Sequence, residues 1–112
     1  MNKVIGKPTT GRRTTKRRSG LRFETLNAFV DQGLAPLTRA EVVVWLILFR
    51  DTKADGTAVA SLVDIARRGG IDPRTASRAL GRLSRRKMLR VVSRGGLNRG
   101  PSAYSVFPYP ME

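Results

Sequence analysis

The sequence predicts a mainly α chain with a small β-hairpin, an α+β arrangement of about four helices followed by two strands. Three observations carry this expectation. Thr38, Ser61 and Asp72 each stand just before a helix-forming segment, where a hydroxyl or carboxylate can cap the first backbone N–H groups. The apolar residues between these points recur at helical rather than alternating spacing. Near the C-terminus the chain reads LRVVSRGGLNRGPSAYSVF, two β-rich runs around a Gly-rich loop.

Length and charge bound what such a chain does. Its 112 residues allow one compact core. Twenty-two Lys and Arg against eight Asp and Glu give a net charge of +14. Self-repulsion of that size destabilises a compact state unless a polyanion relieves it, so nucleic acid is the expected partner. Cysteine and histidine are absent, which excludes disulfides, zinc fingers, thiol nucleophiles and imidazole acid-base chemistry. Asp31, Asp51, Asp55, Asp64 and Asp72 are scattered rather than clustered as a metal-dependent nuclease requires. No enzymatic activity, cofactor or metal is therefore expected. The longest apolar run, Val42 to Phe49, is too short to span a bilayer, and the basic N-terminus lacks the apolar stretch of a signal peptide. No membrane partner is expected.

Residues 1–20, MNKVIGKPTTGRRTTKRRSG, carry seven basic residues, no acid and no hydrophobic period. They read as a flexible basic arm, with Arg12, Arg13, Lys16, Arg17 and Arg18 able to follow phosphates or enter a minor groove. A solvated tail or a targeting signal is the competing reading. The folded unit is expected over 21–112. Phe23, Leu26, Phe29 and Val30 recur at helical spacing and predict a first helix with one buried face, stopped by Gly33 in a left-handed conformation.

Thr38 and Glu41 have capping-box spacing ahead of VVVWLILF, which predicts a second helix near the centre of the core. The run is rich in β-branched residues, and the cap together with the length to Arg50 favours helix over strand. Asp55-Gly56 marks a turn, and Thr57 to Val59 a short strand. Ser61 and Asp64 have N-cap spacing for a third helix, whose inner face is Leu62, Ile65 and Ala66.

IARRGGIDPRTASRAL, residues 65–80, is the most informative segment. Two helices crossing steeply need a small residue at their approach, a residue that turns sharply and an apolar plug beneath the turn. Ala66, Gly70 and Ile71 supply these in order. Asp72 then caps a fourth helix, 73–87, and Pro73 occupies its first position, where a missing N–H is harmless. Steps of about 100° place Ala76, Ala79, Leu80 and Leu83 on one side and Arg74, Arg78, Arg82 and Arg85 on the other. A solvated face usually mixes signs, and this helix has no acid after its cap. Ser77 and Gly81 are small, so a duplex can approach closely.

Such a helix fits the major groove, where arginine donates two bonds to guanine and hydroxyls serve several bases. The readers expected from their place near the helix start are Arg74, Thr75, Ser77 and Arg78. Arg82, Arg85, Arg86 and Lys87 are expected at the DNA backbone. Trp45 and Tyr104 are read as core rather than as base-stacking platforms.

Ala66, Gly70, Ile71, Thr75, Ser77 and Arg78 resemble the helix-turn-helix pattern of bacterial regulators, with Ala76 in place of the usual branched residue. With the hairpin that follows, residues 21–109 resemble a winged helix-turn-helix domain, similar to MarR-like regulators and to the DNA-binding domains of phage and plasmid replication-initiation proteins. The resemblance implies a wing in which Arg90, Arg94, Asn98 and Arg99 reach phosphates or the minor groove. A loop that only stabilises the sheet is the alternative. The resemblance further implies a sequence-specific double-stranded DNA-binding protein, a transcriptional regulator of the cytoplasm and nucleoid, often paired as a homodimer on two half-sites. Replication initiation or partition for a plasmid or phage stays open, as does an RNA-binding or scaffolding module.

Overall fold

A computed structural model of the chain describes residues 20–95 and 100–111. Residues 20–28 are helical and run into a single π turn, Phe29–Gly33, closed by the Leu34 N–H donating to the Phe29 carbonyl oxygen at 2.9 Å; together they form α1. The remaining elements are α2 (Arg39–Asp51), β1 (Ala58–Ala60), α3 (Leu62–Gly69), α4 (Pro73–Arg85), β2 (Leu89–Ser93) and β3 (Ser102–Val106). The expected arm residues Arg12, Arg13, Lys16, Arg17 and Arg18 lie outside the described residues, as do the expected wing residues Asn98 and Arg99.

The centre of the core is α2. Its cap is the reciprocal one expected: the Glu41 N–H donates to Thr38 Oγ1 at 3.3 Å, and the Thr38 N–H donates to Glu41 Oε1 at 3.1 Å. Trp45 and Leu48 are fully buried beside Phe29, Ile65 and Leu83. The indole stacks between Phe29, at 3.7 Å between ring centroids, and Phe49, at 5.0 Å. Trp45 and Tyr104 are core residues, as expected.

The first helix turns a different face inward from the one expected. Phe29 is buried and Leu26 packs against the core, whereas Phe23 and Val30 are 66% and 54% exposed. At about 100° per residue, Arg22, Leu26, Phe29 and Gly33 share one side, and Phe23 and Val30 fall roughly a quarter turn round. The inward face begins with a cation. Arg22 Nη1 donates to the Thr52 carbonyl oxygen and Nη2 to that of Phe49, each at 3.2 Å. Its guanidinium lies 4.7 Å from the Phe49 ring centre, so it neutralises the C-terminus of α2 while covering an aromatic face.

Gly33 also differs from expectation. It lies inside the π turn, outside the left-handed region, and the residue after the turn, Leu34, has φ −71°. The glycine is required by close approach: a Cβ there would collide with the Pro108 carbonyl oxygen and with Met88 Cε.

The sheet has three antiparallel strands in the order β1-β3-β2 rather than two. The early strand occupies Ala58–Ala60, one residue later than expected, and pairs Ala58 with Tyr104 and Ala60 with Ser102. On the other side of β3, Leu89 pairs with Val106 and Val91 with Tyr104, and a bulge follows before Ser93 meets Ala103. The turn at Asp55-Gly56 is fastened to the sheet by Ser105 Oγ, which donates to the Gly56 carbonyl oxygen at 2.9 Å.

The fourth helix ends at Arg85, two residues early. Lys87 adopts φ 63°, the left-handed conformation in which the Lys87 N–H reaches the Ser84 carbonyl and the Met88 N–H reaches that of Leu83, each at 3.0 Å.

Candidate nucleic-acid interface

The turn that aims α4 is built from backbone bonds any sequence could make and a conformation that favours one residue. Gly70 has φ 65° and ψ 33°. From that conformation the Ile71 N–H donates to the Ala66 carbonyl oxygen at 3.0 Å and the Gly70 N–H to that of Arg67 at 3.3 Å. This pair of bonds is a Schellman motif, which satisfies the last carbonyls of α3. Ala66 is buried and Ile71 packs against the core beneath the turn, as the sequence predicts. Gly69 contributes a contact the sequence does not announce: a Cβ there would meet Val43 Cγ1 at 2.7 Å, so α3 lies against α2.

Asp72 caps the next helix, its Oδ2 accepting the Arg74 N–H at 2.9 Å, with Pro73 in the first turn. Ala76, Ala79 and Leu83 then bury the inner face, and Leu80 packs at its margin. Burying that face against α2 and α3 leaves the opposite one in solvent. Arg74, Ser77, Arg78, Arg82, Ser84, Arg85 and Lys87 are exposed, and Thr75 is half-buried. Of the four expected readers, Arg74, Ser77 and Arg78 are thus held outward together at the start of the helix.

The guanidiniums of α4 divide into two groups. Arg74, Arg78 and Arg85 have no ion pair among the described residues. Arg82 and Arg86 instead flank the fully buried carboxylate of Glu41 on α2. Arg86 Nε lies 3.5 Å from Oε1 and Arg82 Nη1 lies 3.8 Å from Oε2. Arg86 Nη2 also donates to the Pro36 carbonyl oxygen at 3.2 Å. Sequence reasoning placed Glu41 in the cap and missed this second duty, because nothing local links it to α4.

The cations of α3 are likewise engaged. Arg68 donates to Asp64 at 3.0 Å and to Asp51 at 3.1 Å, and Arg67 bonds Asp64. The hydrogen bond from Arg68, reinforced by its charge, holds the Asp51 carboxyl below its ordinary value against a smaller opposing effect of burial.

Between α4 and the hairpin runs an open cleft of about 470 Å³. Ser77, Gly81, Ser84 and Arg85 line it from the helix, Tyr104 from the sheet and Arg94 from just past the end of β2. Ser84 joins the site without having been anticipated from sequence. Arg94 is exposed near the hairpin tip, where the Gly95 N–H donates to Ser102 Oγ at 2.8 Å. Arg90 sits at the base of the hairpin instead, 5.6 Å from the Phe107 ring centre. Among the described residues no three His, Cys, Asp or Glu side chains converge as metal ligands, and no helix is long and apolar enough to cross a membrane.

A capped helix, a Schellman turn, an outward cationic helix and a β-hairpin packed beside it define a winged helix-turn-helix domain. No protein-family model and no curated protein sequence matches the chain. Solved structures similar to it include the following three. One is BpsR of Bordetella bronchiseptica, described with the regulation of its DNA binding by 6-hydroxynicotinic acid; it is 24% identical, with a TM-score of 0.46 over 85% of this chain and 68% of that one. Another is the transcriptional regulator PA3341, 19% identical, with a TM-score of 0.48 over 89% and 66%. The third is YusO of Bacillus subtilis, 17% identical, with a TM-score of 0.48 over 88% and 67%. The chain spans about two thirds of the length of each, and the fold assignment rests on its own elements.

Proposed function

We propose that the protein is a sequence-specific double-stranded DNA-binding protein acting as a transcriptional regulator. The observation that carries this is the row of Arg74, Arg78 and Arg85, exposed on one helix with no carboxylate partner among the described residues. Such a row repels itself in the free chain and is relieved by phosphates and guanine edges. Arg74, Thr75, Ser77 and Arg78 read bases from the start of α4. Arg85 and Lys87 meet phosphates, and Arg94 with the rest of the wing reaches the adjoining backbone or minor groove. The basic arm adds sequence-independent affinity.

Two copies on two half-sites would be centred about 34 Å apart, one turn of duplex. Phe23 and Val30, exposed side by side on the outer face of α1, support pairing through that helix.

Selection of bound duplexes from a random pool tests the reading directly. A shared motif is expected, palindromic if the protein acts as a symmetric dimer. Neutralising roughly six to ten phosphates makes log affinity fall against log salt with a slope of about −5 to −9. A flat salt dependence and an unselected pool would dismiss the proposal.

A further inference from the structure

Glu41 does more than its cap requires. One carboxylate oxygen, Oε1, accepts the Thr38 N–H and completes the capping box. The other, Oε2, is buried and has no hydrogen bond among the described residues. A carboxylate with no solvent exposure needs a countercharge, and among the described residues the cations within reach are Arg82 on α4 and Arg86 just past its end. Both guanidiniums keep a solvent-facing side, at 51% and 37% exposure, and are open to a phosphate. If both did, a negative charge would be left alone in the core, where low dielectric makes it most unfavourable.

We propose that Glu41 is a specificity-determining residue, an internal counter-anion that withholds Arg82 and Arg86 from DNA. This rests on the DNA-binding reading of α4. Phosphate affinity is the same for every sequence, so each arginine held back lowers binding to all duplexes alike. Contacts made by Arg74, Thr75, Ser77 and Arg78 then form a larger share of the total. The carboxylate thereby turns the cationic end of α4 from a general polyanion binder toward a discriminating one.

Glutamine at position 41 keeps the capping acceptor and removes the charge. Duplex affinity against salt is measured for the full-length wild type, Glu41→Gln, Arg82→Gln and Arg85→Gln. The slope for Glu41→Gln is expected to steepen by about 0.9 to 1.8, for one or two phosphates gained. Affinity for unrelated duplexes rises at least several-fold, and the ratio of selected to unrelated duplex falls. An unchanged or shallower slope in folded Glu41→Gln overturns the assignment. Should that variant not fold, the arginine pair decides: Arg85→Gln lowers the slope by about 0.9 and Arg82→Gln by less than half as much, whereas equal losses overturn it. Wild-type protein without salt-dependent duplex binding defeats the DNA-binding reading itself. Normal wild-type binding with the wrong variant slopes defeats only the role given to Glu41.

Discussion

The indole N–H of Trp45 donates to the carbonyl oxygen of Phe107 at 2.9 Å, tying the middle of α2 to the chain just beyond β3. The ring making this bond is fully buried and stacked on Phe29 and Phe49, so one side chain joins α1, α2 and the end of the sheet. Trp45→Phe keeps an aromatic ring but removes the donor and part of the stack. A loss of about 1–3 kcal/mol is expected, read as a lower urea midpoint at unchanged slope. A midpoint equal to that of the wild type would show that the carbonyl finds another donor.

Lys87 occupies a conformation, φ 63°, that glycine adopts freely and a side chain resists. Lys87→Gly is expected to raise stability by about 0.5–1 kcal/mol while weakening every duplex equally. Thermal melting and a salt titration check the two halves separately. A loss of stability would mean that the lysine side chain contributes packing.

Gly81 lies mid-helix, where glycine is less favourable than alanine by roughly 1 kcal/mol. A Cβ there would meet only Arg85 Nη1, at an ordinary 3.6 Å, so packing does not require the glycine. Gly81→Ala is expected to stabilise the fold by about 0.5–1 kcal/mol and to weaken DNA binding by narrowing the cleft beside the wing. Improved stability with undiminished binding would remove the cleft from the interface.

Arg78→Ala is expected to lower affinity for the selected sequence by about 1–3 kcal/mol and to relax preference at one base position. Arg85→Ala is expected to weaken selected and unrelated duplexes by the same factor. Binding to a panel of single-base variants distinguishes the roles, and identical profiles for the two variants would contradict them.

The Asp51 carboxyl is held below its ordinary value of 3.8 by Arg68. The folded state therefore favours the ionised form, and the pair stabilises fully above the unfolded value. That contribution fades as pH falls through the depressed folded value. Asp51→Asn should be less stable than wild type at neutral pH, with the gap closing as pH drops below about 3.8. Unfolding midpoints from pH 7 to pH 2.5 check this, and a gap independent of pH would assign it to something other than the charge.

Features written in neighbouring residues were legible in the sequence. The caps at Thr38, Ser61 and Asp72 and the turn at Gly70 each depend on groups a few residues apart, so the start of every capped helix and the exit of α3 could be placed. Features that depend on distant partners were not. Gly33 resembles a helix stop, and only the approach of Pro108 reveals its use. The inward face of α1 was misjudged because Phe23 is apolar and Arg22 is not, yet Arg22 has the carbonyls at the end of α2 to satisfy. In α4 the cationic stripe was evident, but its division into outward and Glu41-bound arginines follows from packing on α2.

The bulge in β2 has a further effect on how the molecule behaves among its own copies. β2 is an outer strand, and an outer strand with a regular row of unpaired amides is a template for stacking into fibrils. Slippage of the pairing between Val91 and Ser93 breaks that row, and Arg90 and Arg94 set like charges on either side of the break. At the opposite border β1 is only three residues long. Concentrated solutions should accordingly resist edge-to-edge aggregation, even with an isopropyl group as exposed as that of Val92.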